Sequence, residues 1–181
     1  IKLLVLTFIF RTINAVADVN EWSIEGDGIE AAVNAIDFHI GHMDTIFAGS
    51  VHGLYRSDDN GESWQLRGVS LVDKNVLSLA INPEQPFKAY AGTNSGIFVS
   101  ENAGSTWNEV SDLDVSVLSV SAGVSDCVYL GTFGQGVYKS EDGGQTWNSI
   151  GNGLISDIVF VVAVHPLNSD IVYVGTDSGL Y

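Results

Sequence analysis

The chain has 181 residues, with 22 acidic and seven basic side chains, 20 glycines and four tryptophans. Its length suits one domain or a part of a larger one, and its 45% hydrophobic residues exclude an intrinsically disordered chain. A net charge of −15 argues against a nucleic-acid or anionic-membrane partner, because both are bound through basic patches.

Residues 1–17 have the pattern of a secretory signal peptide. Lys2 precedes an apolar run, and Ala15-Val16-Ala17 has the small-x-small pattern of a cleavage site. The apolar run is far shorter than the ~20 residues that span a bilayer, so we expect no transmembrane segment in a mature chain of residues 18–181. The alternative interpretation is a buried first strand. The signal-peptide interpretation predicts a secreted or periplasmic protein.

The four tryptophans recur at a nearly constant spacing. Trp22, Trp64, Trp107 and Trp147 are separated by steps of 42, 43 and 40 residues. The last three each end the phrase Ser-x-Asp/Asn-x-Gly-x-Ser/Thr-Trp. Its fixed positions are Ser57, Asp59, Gly61, Ser63 and Trp64; Ser100, Asn102, Gly104, Thr106 and Trp107; and Ser140, Asp142, Gly144, Thr146 and Trp147. A period of this size predicts a repeat architecture.

Each repeat contains the pattern of four short strands. Apolar runs at 33–38, 76–81, 115–120 and 158–164 are followed by aliphatic and aromatic segments that end at Gly-Thr or Gly-Ser. A third segment starts at a turn glycine and ends at the serine of the phrase, and a fourth carries the tryptophan. Four-stranded units of this length are the size of propeller blades, which bury both faces by stacking around an axis. We therefore predict an all-β fold, a β-propeller of four-stranded antiparallel blades, with about four blades represented.

The phrase resembles the Asp-box, or BNR repeat, of sialidase-like β-propellers. The wider repeat, with Gly-Thr-x-x-Gly-aliphatic-Tyr-x-Ser before the box, is most similar to the photosystem II assembly-factor-like, sortilin-like and xyloglucanase-like branch. The resemblance extends from Trp22 to Tyr181. It implies that each box is the hairpin turn between the third and fourth strands of a blade.

The residue types of the box favour a structural turn. Asp59, Asn102 and Asp142 have short side chains that accept hydrogen bonds from nearby amides, and the box glycine tolerates a positive φ. The indole supplies an apolar body that packs between layers. A cation site at 58–62 is the alternative, but this segment lacks the ligand spacing and closing glutamate of a calcium loop. We expect no metal and no other cofactor.

The ends of the chain leave two interpretations of ring size. Trp22 has the position of a fourth strand, and Tyr181 lies within a third strand. The isolated N-terminal strand could complete the last blade and close a four-bladed ring. We favour a fragment of a ring of six to eight blades, incomplete at its C-terminus.

Function in propellers depends on the loops at the blade ends, since the fold alone does not specify it. The loops between second and third strands supply four candidate ligand-facing residues, His52, Asn94, Gln135 and Asp177. We expect these loops to share an end of the blades with the loops that follow the tryptophan strands. With no catalytic signature in the sequence, we predict a non-catalytic scaffold that binds a protein or carbohydrate partner. The oligomeric state stays open.

The alternative function is a glycoside hydrolase, which needs two carboxylates flanking the scissile bond. Similarity to xyloglucanases implies an acid at the position of Asp177. Similarity to sialidases implies three arginines, whereas residues 18–181 contain only Arg56 and Arg67. We assign no catalytic residue within the chain, and in an enzyme most of them would lie outside it.

Overall fold

The computed structural model describes residues 28–29, 31–39, 42–110 and 116–181. The predicted signal peptide and the Trp22 strand lie outside these residues, as do Asp112 and Asp114 in the loop before the third apolar run. Within the described ranges, no helix is long and apolar enough to cross a membrane.

The described strands form four antiparallel sheets in chain order, each with the strand order of the sequence. Sheet I contains β1 (Val33–His39), β2 (His42–Ser50), β3 (Gly53–Ser57) and β4 (Gln65–Arg67). Sheet II contains β5 (Val76–Ile81), β6 (Ala89–Thr93), β7 (Gly96–Ser100) and β8 (Asn108–Glu109). Sheet III contains β9 (Val117–Ala122), β10 (Val128–Thr132), β11 (Val137–Ser140) and β12 (Asn148–Ser149). Sheet IV contains β13 (Val159–His165), β14 (Asn168–Thr176) and β15 (Gly179–Leu180). A 3-10 turn, Val69–Leu71, follows sheet I.

The predicted all-β fold of blade-like antiparallel sheets is confirmed, with four strands in sheets I to III and three described strands in sheet IV. The fourth strands differ in one detail from the expectation. Trp64, Trp107 and Trp147 each lie immediately before the fourth strand, which has only two or three residues. Very short edge strands leave few unpaired backbone groups, which limits edge-to-edge association.

The middle strands are buried because sheets cover them on both sides. All five residues of β6, β7 and β10 are buried. A strand covered on both faces is expected to be apolar or small at successive positions, and Ala89-Tyr90-Ala91-Gly92 in β6 follows this rule.

Consecutive sheets stack face to face, with their first strands side by side. β1 packs against β5, β5 against β9, and β9 against β13. A separate hydrophobic layer fills each gap: Phe47, Leu54, Phe98 and Trp107 between sheets I and II; Tyr90, Ile97, Val128 and Leu130 between II and III; Tyr129, Val137, Val159 and Val174 between III and IV. Full burial of one such aliphatic or aromatic side chain contributes about 1.5–3 kcal/mol.

The two ends of the sheets carry different loops. At the loop end, the turns after the second strands of sheets II and III bond to the segments before the first strands of the same sheets: Asn94 N donates to Asn75 O at 3.1 Å, and Phe133 N donates to Ser116 O at 3.0 Å. At the opposite, box end, the Asp-box turn bonds to the start of its own second strand, as in Asn60 N to Asp44 O at 3.1 Å.

Candidate functional site

The first Asp-box is a hairpin turn closed by its own side chains. The amide of Gly61 donates to Ser57 Oγ at 2.8 Å. The Asp59 carboxylate accepts from Ser57 Oγ at 2.7 Å, from the Ser63 amide at 2.8 Å and from Ser63 Oγ at 2.6 Å. Gly61 has φ 90°, in the left-handed region that glycine favours. The polar side chains of the box are therefore used within the turn.

The other two boxes repeat this arrangement. The amides of Gly104 and Gly144 donate to Ser100 Oγ and Ser140 Oγ, each at 2.8 Å. In the third box, Thr146 Oγ1 donates to the Asp142 carboxylate at 2.5 Å. In the second box, Asn102 Nδ2 instead donates to Thr106 Oγ1 at 2.8 Å, so the direction of this bond is reversed and the turn stays neutral.

These hydrogen bonds favour the ionised form of the box carboxylates. The side-chain bond from Ser63, followed by that from Ser57, lowers the pKa of Asp59 to about 2. The side-chain bond from Thr146 is the main cause of a lowered pKa at Asp142. Both carboxylates act as fixed hydrogen-bond acceptors within a turn. Their pKa values are lowered, whereas a general acid has a raised pKa.

The glycines of the second and third boxes also contact the preceding sheet. A Cβ on Gly104 would lie 2.9 Å from Cζ of Phe47 and closer still to Cε1, and a Cβ on Gly144 would lie 3.3 Å from Cε1 of Tyr90. Phe47 also meets Trp107 edge to face, with ring centroids 6.4 Å apart. The box turns are thus contact points between sheets.

The loop end presents four similar turns with accessible side chains. In each turn, the hydroxyl that ends the second strand donates to the carbonyl of the turn glycine, as in Ser50 Oγ to Gly53 O at 3.0 Å and Thr93 Oγ1 to Gly96 O at 2.9 Å. The third and fourth turns have the same bond, from Thr132 to Gly136 at 2.9 Å and from Thr176 to Gly179 at 3.2 Å. The hydroxyl fixes the turn and leaves its central side chains accessible.

The four candidate ligand-facing residues are exposed, but they do not share one register position. Asn94 and Asp177 directly follow the threonine, whereas the amides of His52 and Gln135 donate back to the hydroxyl of Ser50 or Thr132. Two of the four residues use a side-chain oxygen in a local hydrogen bond: Gln135 Oε1 accepts from Tyr138 Oη at 3.0 Å, and Asp177 Oδ1 accepts from Ser178 Oγ at 3.0 Å. The structure therefore distributes these residues over four sheets.

Asn94 belongs to a hydrogen-bonded series that we call the amide row, Asn34, Asn75, Asn94 and Ser116. Asn34 Nδ2 donates to Asn75 Oδ1 at 2.8 Å, and the Asn75 amide donates to Asn94 Oδ1 at 3.3 Å. Ser116 Oγ then donates to Asn94 O at 3.3 Å. The row joins sheets I, II and III at the loop end. Sequence reasoning missed Asn34 and Asn75, although a polar residue at or just before each apolar first strand is a recognisable signal.

Exposed apolar side chains stand at the same end of the neighbouring sheets. Phe133 lies in the third turn and Ile155 in the segment before β13, and both are exposed. The amides of Gly134 and Gly136 bond to Asp157 O at 3.0 and 2.9 Å, which holds these two segments together. The loop end thus combines neutral hydrogen-bonding groups with apolar contacts.

Among the described residues, no group of three or more His, Cys, Asp or Glu side chains could hold a metal ion.

A small cavity lies at the box end, between sheets I and II. Its volume is about 230 Å³, and its lining includes Asp44, Phe47, Arg56 and Phe87. Small-molecule pockets usually measure about 300–1,000 Å³, so this cavity is small for such a ligand. Arg56 is already engaged there, because its Nε donates to Asp58 Oδ1 at 2.6 Å and its Nη1 donates to Ala103 O.

Comparisons with known proteins agree with the repeat and the fold. The family model described as BNR/Asp-box repeat matches residues 55–66, which include the first box. The chain is similar to the crystal structure of an ancestral GH74 enzyme, with 28% identity, a TM-score of 0.72 and coverage of 84% of this chain. It is also similar to the GH74 xyloglucanase from Xanthomonas campestris (16% identity, TM-score 0.66, 87% of this chain) and to YCF48 bound to D1 peptide (18% identity, TM-score 0.60, 72% of this chain).

The chain spans only part of those proteins. It covers 23% of the ancestral GH74 chain, 29% of the xyloglucanase chain and 44% of the YCF48 chain. No curated protein matches the sequence significantly. The similar structures include enzymes and a peptide-bound protein, so this fold is compatible with both a scaffold and a hydrolase.

Proposed function

We propose that this chain of Asp-box (BNR) repeats, folded as propeller blades, is part of a non-catalytic scaffold whose loop end binds a protein partner. The observation that carries the proposal is the amide row beside exposed Phe133 and Ile155. Side-chain amides donate and accept hydrogen bonds, as the backbone of an extended peptide does, and the two apolar side chains offer contact area. The peptide bound to YCF48, a protein of similar fold, supports this class of partner.

A binding selection tests the proposed function. A phage library of random 12-residue peptides would be selected on the purified chain and measured by fluorescence anisotropy. We expect Asn94→Ala to weaken peptide binding at least tenfold, because it removes one of the side-chain amides of the amide row that would bond to the peptide backbone. Asn148→Ala, an equally polar and exposed change on β12, is the matched control and should leave binding unchanged. Selected peptides that bind both variants alike would refute the role of the loop end.

A glycoside hydrolase is the second candidate, favoured by the 28% identity to an ancestral GH74 enzyme over 84% of the chain. Asp177 in the fourth loop-end turn is the acid that we would test. Release of reducing ends from xyloglucan by the wild-type chain, abolished in Asp177→Asn, would favour the hydrolase and contradict the scaffold. No turnover, together with peptide binding, would favour the scaffold.

Two further properties belong to the proposal. We propose export, from the pattern of residues 1–17, and mature protein recovered outside the cytoplasm should begin at Asp18. Recovery of the uncleaved chain from the cytoplasm would contradict export. We also propose that the four sheets belong to a larger ring of six to eight blades.

A further inference from the structure

The chain contains two Asn-Gly pairs, Asn60-Gly61 in the first box and Asn152-Gly153 in the segment before sheet IV. The asparagine is exposed in both pairs. The backbone nitrogen of a residue that follows asparagine can attack the side-chain amide carbon, and glycine has no Cβ to hinder this approach. Because the two pairs have the same chemistry, the structure around each glycine nitrogen decides which pair reacts.

Hydrogen bonds of the box hold the first pair in place. The amide of Gly61 donates to Ser57 Oγ at 2.8 Å, and Ser57 is fully buried. The amide of Asn60 donates to Asp44 O at 3.1 Å. For the Gly61 nitrogen to reach the Asn60 side chain, it would have to leave its acceptor, and the box turn would have to open.

The second pair lies in a more open turn at the loop end. Leu154 N donates to Gly151 O at 3.1 Å, which places Asn152 and Gly153 at the two central positions of a β-turn. Gly153 has φ 100°, and a Cβ built on it would meet no atom within 4 Å. Among the described residues, none accepts a hydrogen bond from the Gly153 amide. The nitrogen that would attack is therefore not held by an acceptor.

We propose that Asn152 is a site of spontaneous deamidation, whereas the first box protects Asn60. The Gly153 nitrogen forms a bond to Cγ of Asn152, the bond from Cγ to Nδ2 breaks, and Nδ2 leaves as ammonia with the proton that the backbone amide loses. Water then opens the cyclic imide to aspartate or to isoaspartate. Water is the only co-reactant in this balance, so the reaction needs no enzyme and no cofactor.

The product changes both the charge and the backbone of the loop end. A carboxylate replaces a neutral amide in the segment that contains Leu154, which packs against the layer between sheets III and IV, and the exposed Ile155. Isoaspartate also inserts a methylene group into the main chain of the turn. Any effect on peptide binding rests on the proposed function, because Ile155 belongs to the proposed binding surface. The reaction itself is measured on the chain alone, so either proposal can fail without the other.

Peptide mapping by mass spectrometry tests the modification, because trypsin separates the two pairs. Cleavage after Arg56 and Arg67 gives the peptide 57–67, in which Asn60 is the only asparagine, and cleavage after Lys139 gives the peptide 140–181. The purified chain would be incubated in mildly alkaline buffer and sampled over several days, with a sample digested at once as the baseline. Fragment ions of the peptide 140–181 would locate the gain in mass that accompanies replacement of NH₂ by OH.

We expect Asn152 to deamidate about tenfold faster than Asn60 in the folded chain, because the hydrogen bond of the Gly61 amide must break first. The unfolded chain is the matched control. In concentrated guanidinium chloride at the same pH neither turn exists, so the two pairs should react at similar rates. Gly153→Ala should suppress the reaction at Asn152, because the added Cβ hinders the attacking nitrogen, and should leave the rate at Asn60 unchanged.

Three results would overturn the proposal. The first is a folded chain in which Asn60 reacts as fast as Asn152. The second is a difference in rate that persists unchanged in guanidinium chloride, which would assign it to neighbouring sequence rather than to the fold. The third is a folded chain in which the Asn152 position gains no mass during the incubation.

Discussion

Replacing the glycine of the second box should measure the contact between sheets I and II. Gly104 has φ 77°, and an alanine Cβ would lie 2.9 Å from Cζ of the buried Phe47 ring. The left-handed backbone costs an alanine about 1–2 kcal/mol. Overpacking against a ring that cannot move away costs about 1–3 kcal/mol more. We expect Gly104→Ala to lower the free energy of unfolding by about 2–5 kcal/mol.

Gly61→Ala is the matched control, because it changes the same box position where no ring of another described sheet lies within 4 Å of the added Cβ. Its φ is 90°, and its added Cβ would meet nothing closer than 3.7 Å. It should cost only the backbone part, about 1–2 kcal/mol. Urea unfolding of both variants measures the two losses. Equal losses in the two variants would refute the contact between the box glycine and the preceding sheet.

Three further outcomes are expected. Asp142→Ala should lower the melting temperature by about 2–4 °C, since a turn-capping bond contributes about 1 kcal/mol, and an unchanged melting curve would count against the turn role of the box. Tyr129→Phe should cost about 1–3 kcal/mol in urea unfolding, because it leaves the buried carbonyl of Ser169 without its 2.6 Å donor, whereas Tyr138→Phe, which loses an exposed bond, should cost less. The pKa of Asp59 is about 2 in the folded chain against 3.8 in the unfolded chain, so its contribution to stability is complete above pH 3.8 and is lost as the pH falls towards 2. Asp59→Asn should therefore flatten the stability profile in that window, and an unchanged acid profile would contradict this assignment.

Local features of the fold were predictable because they depend on short stretches of sequence. The eight residues from Ser57 to Trp64 contain all the side-chain acceptors that close their own turn. The third strands end at the predicted serines, Ser57, Ser100 and Ser140. A pattern within a few residues specifies such bonds whatever surrounds them.

Contacts between sheets were not predictable from the same pattern. Tyr90 has the sequence context of any strand aromatic, and its partner Gly143 lies 53 residues further along the chain. Which box receives which ring depends on how the sheets stack. The glycine of the box was expected to serve the turn, and its second role beneath a neighbouring ring became visible only in three dimensions.

The candidate site was predicted only in outline. The loop end was identified correctly as the end shared by the turns after the second strands and the segments before the next sheets. The third turn contains an extra residue between Thr132 and Gly136, which shifts Gln135 relative to Asn94. Asn34 and Asn75 were missed because their roles depend on neighbouring sheets, which sequence spacing alone does not place.

A crystal structure of the chain would test the stacking of consecutive sheets most directly. We expect Tyr129 Oη within hydrogen-bond distance of Ser169 O, and the Trp107 indole buried against Phe47 between sheets I and II. Helices in place of the strands, or Trp64, Trp107 and Trp147 in unrelated surroundings, would contradict the account.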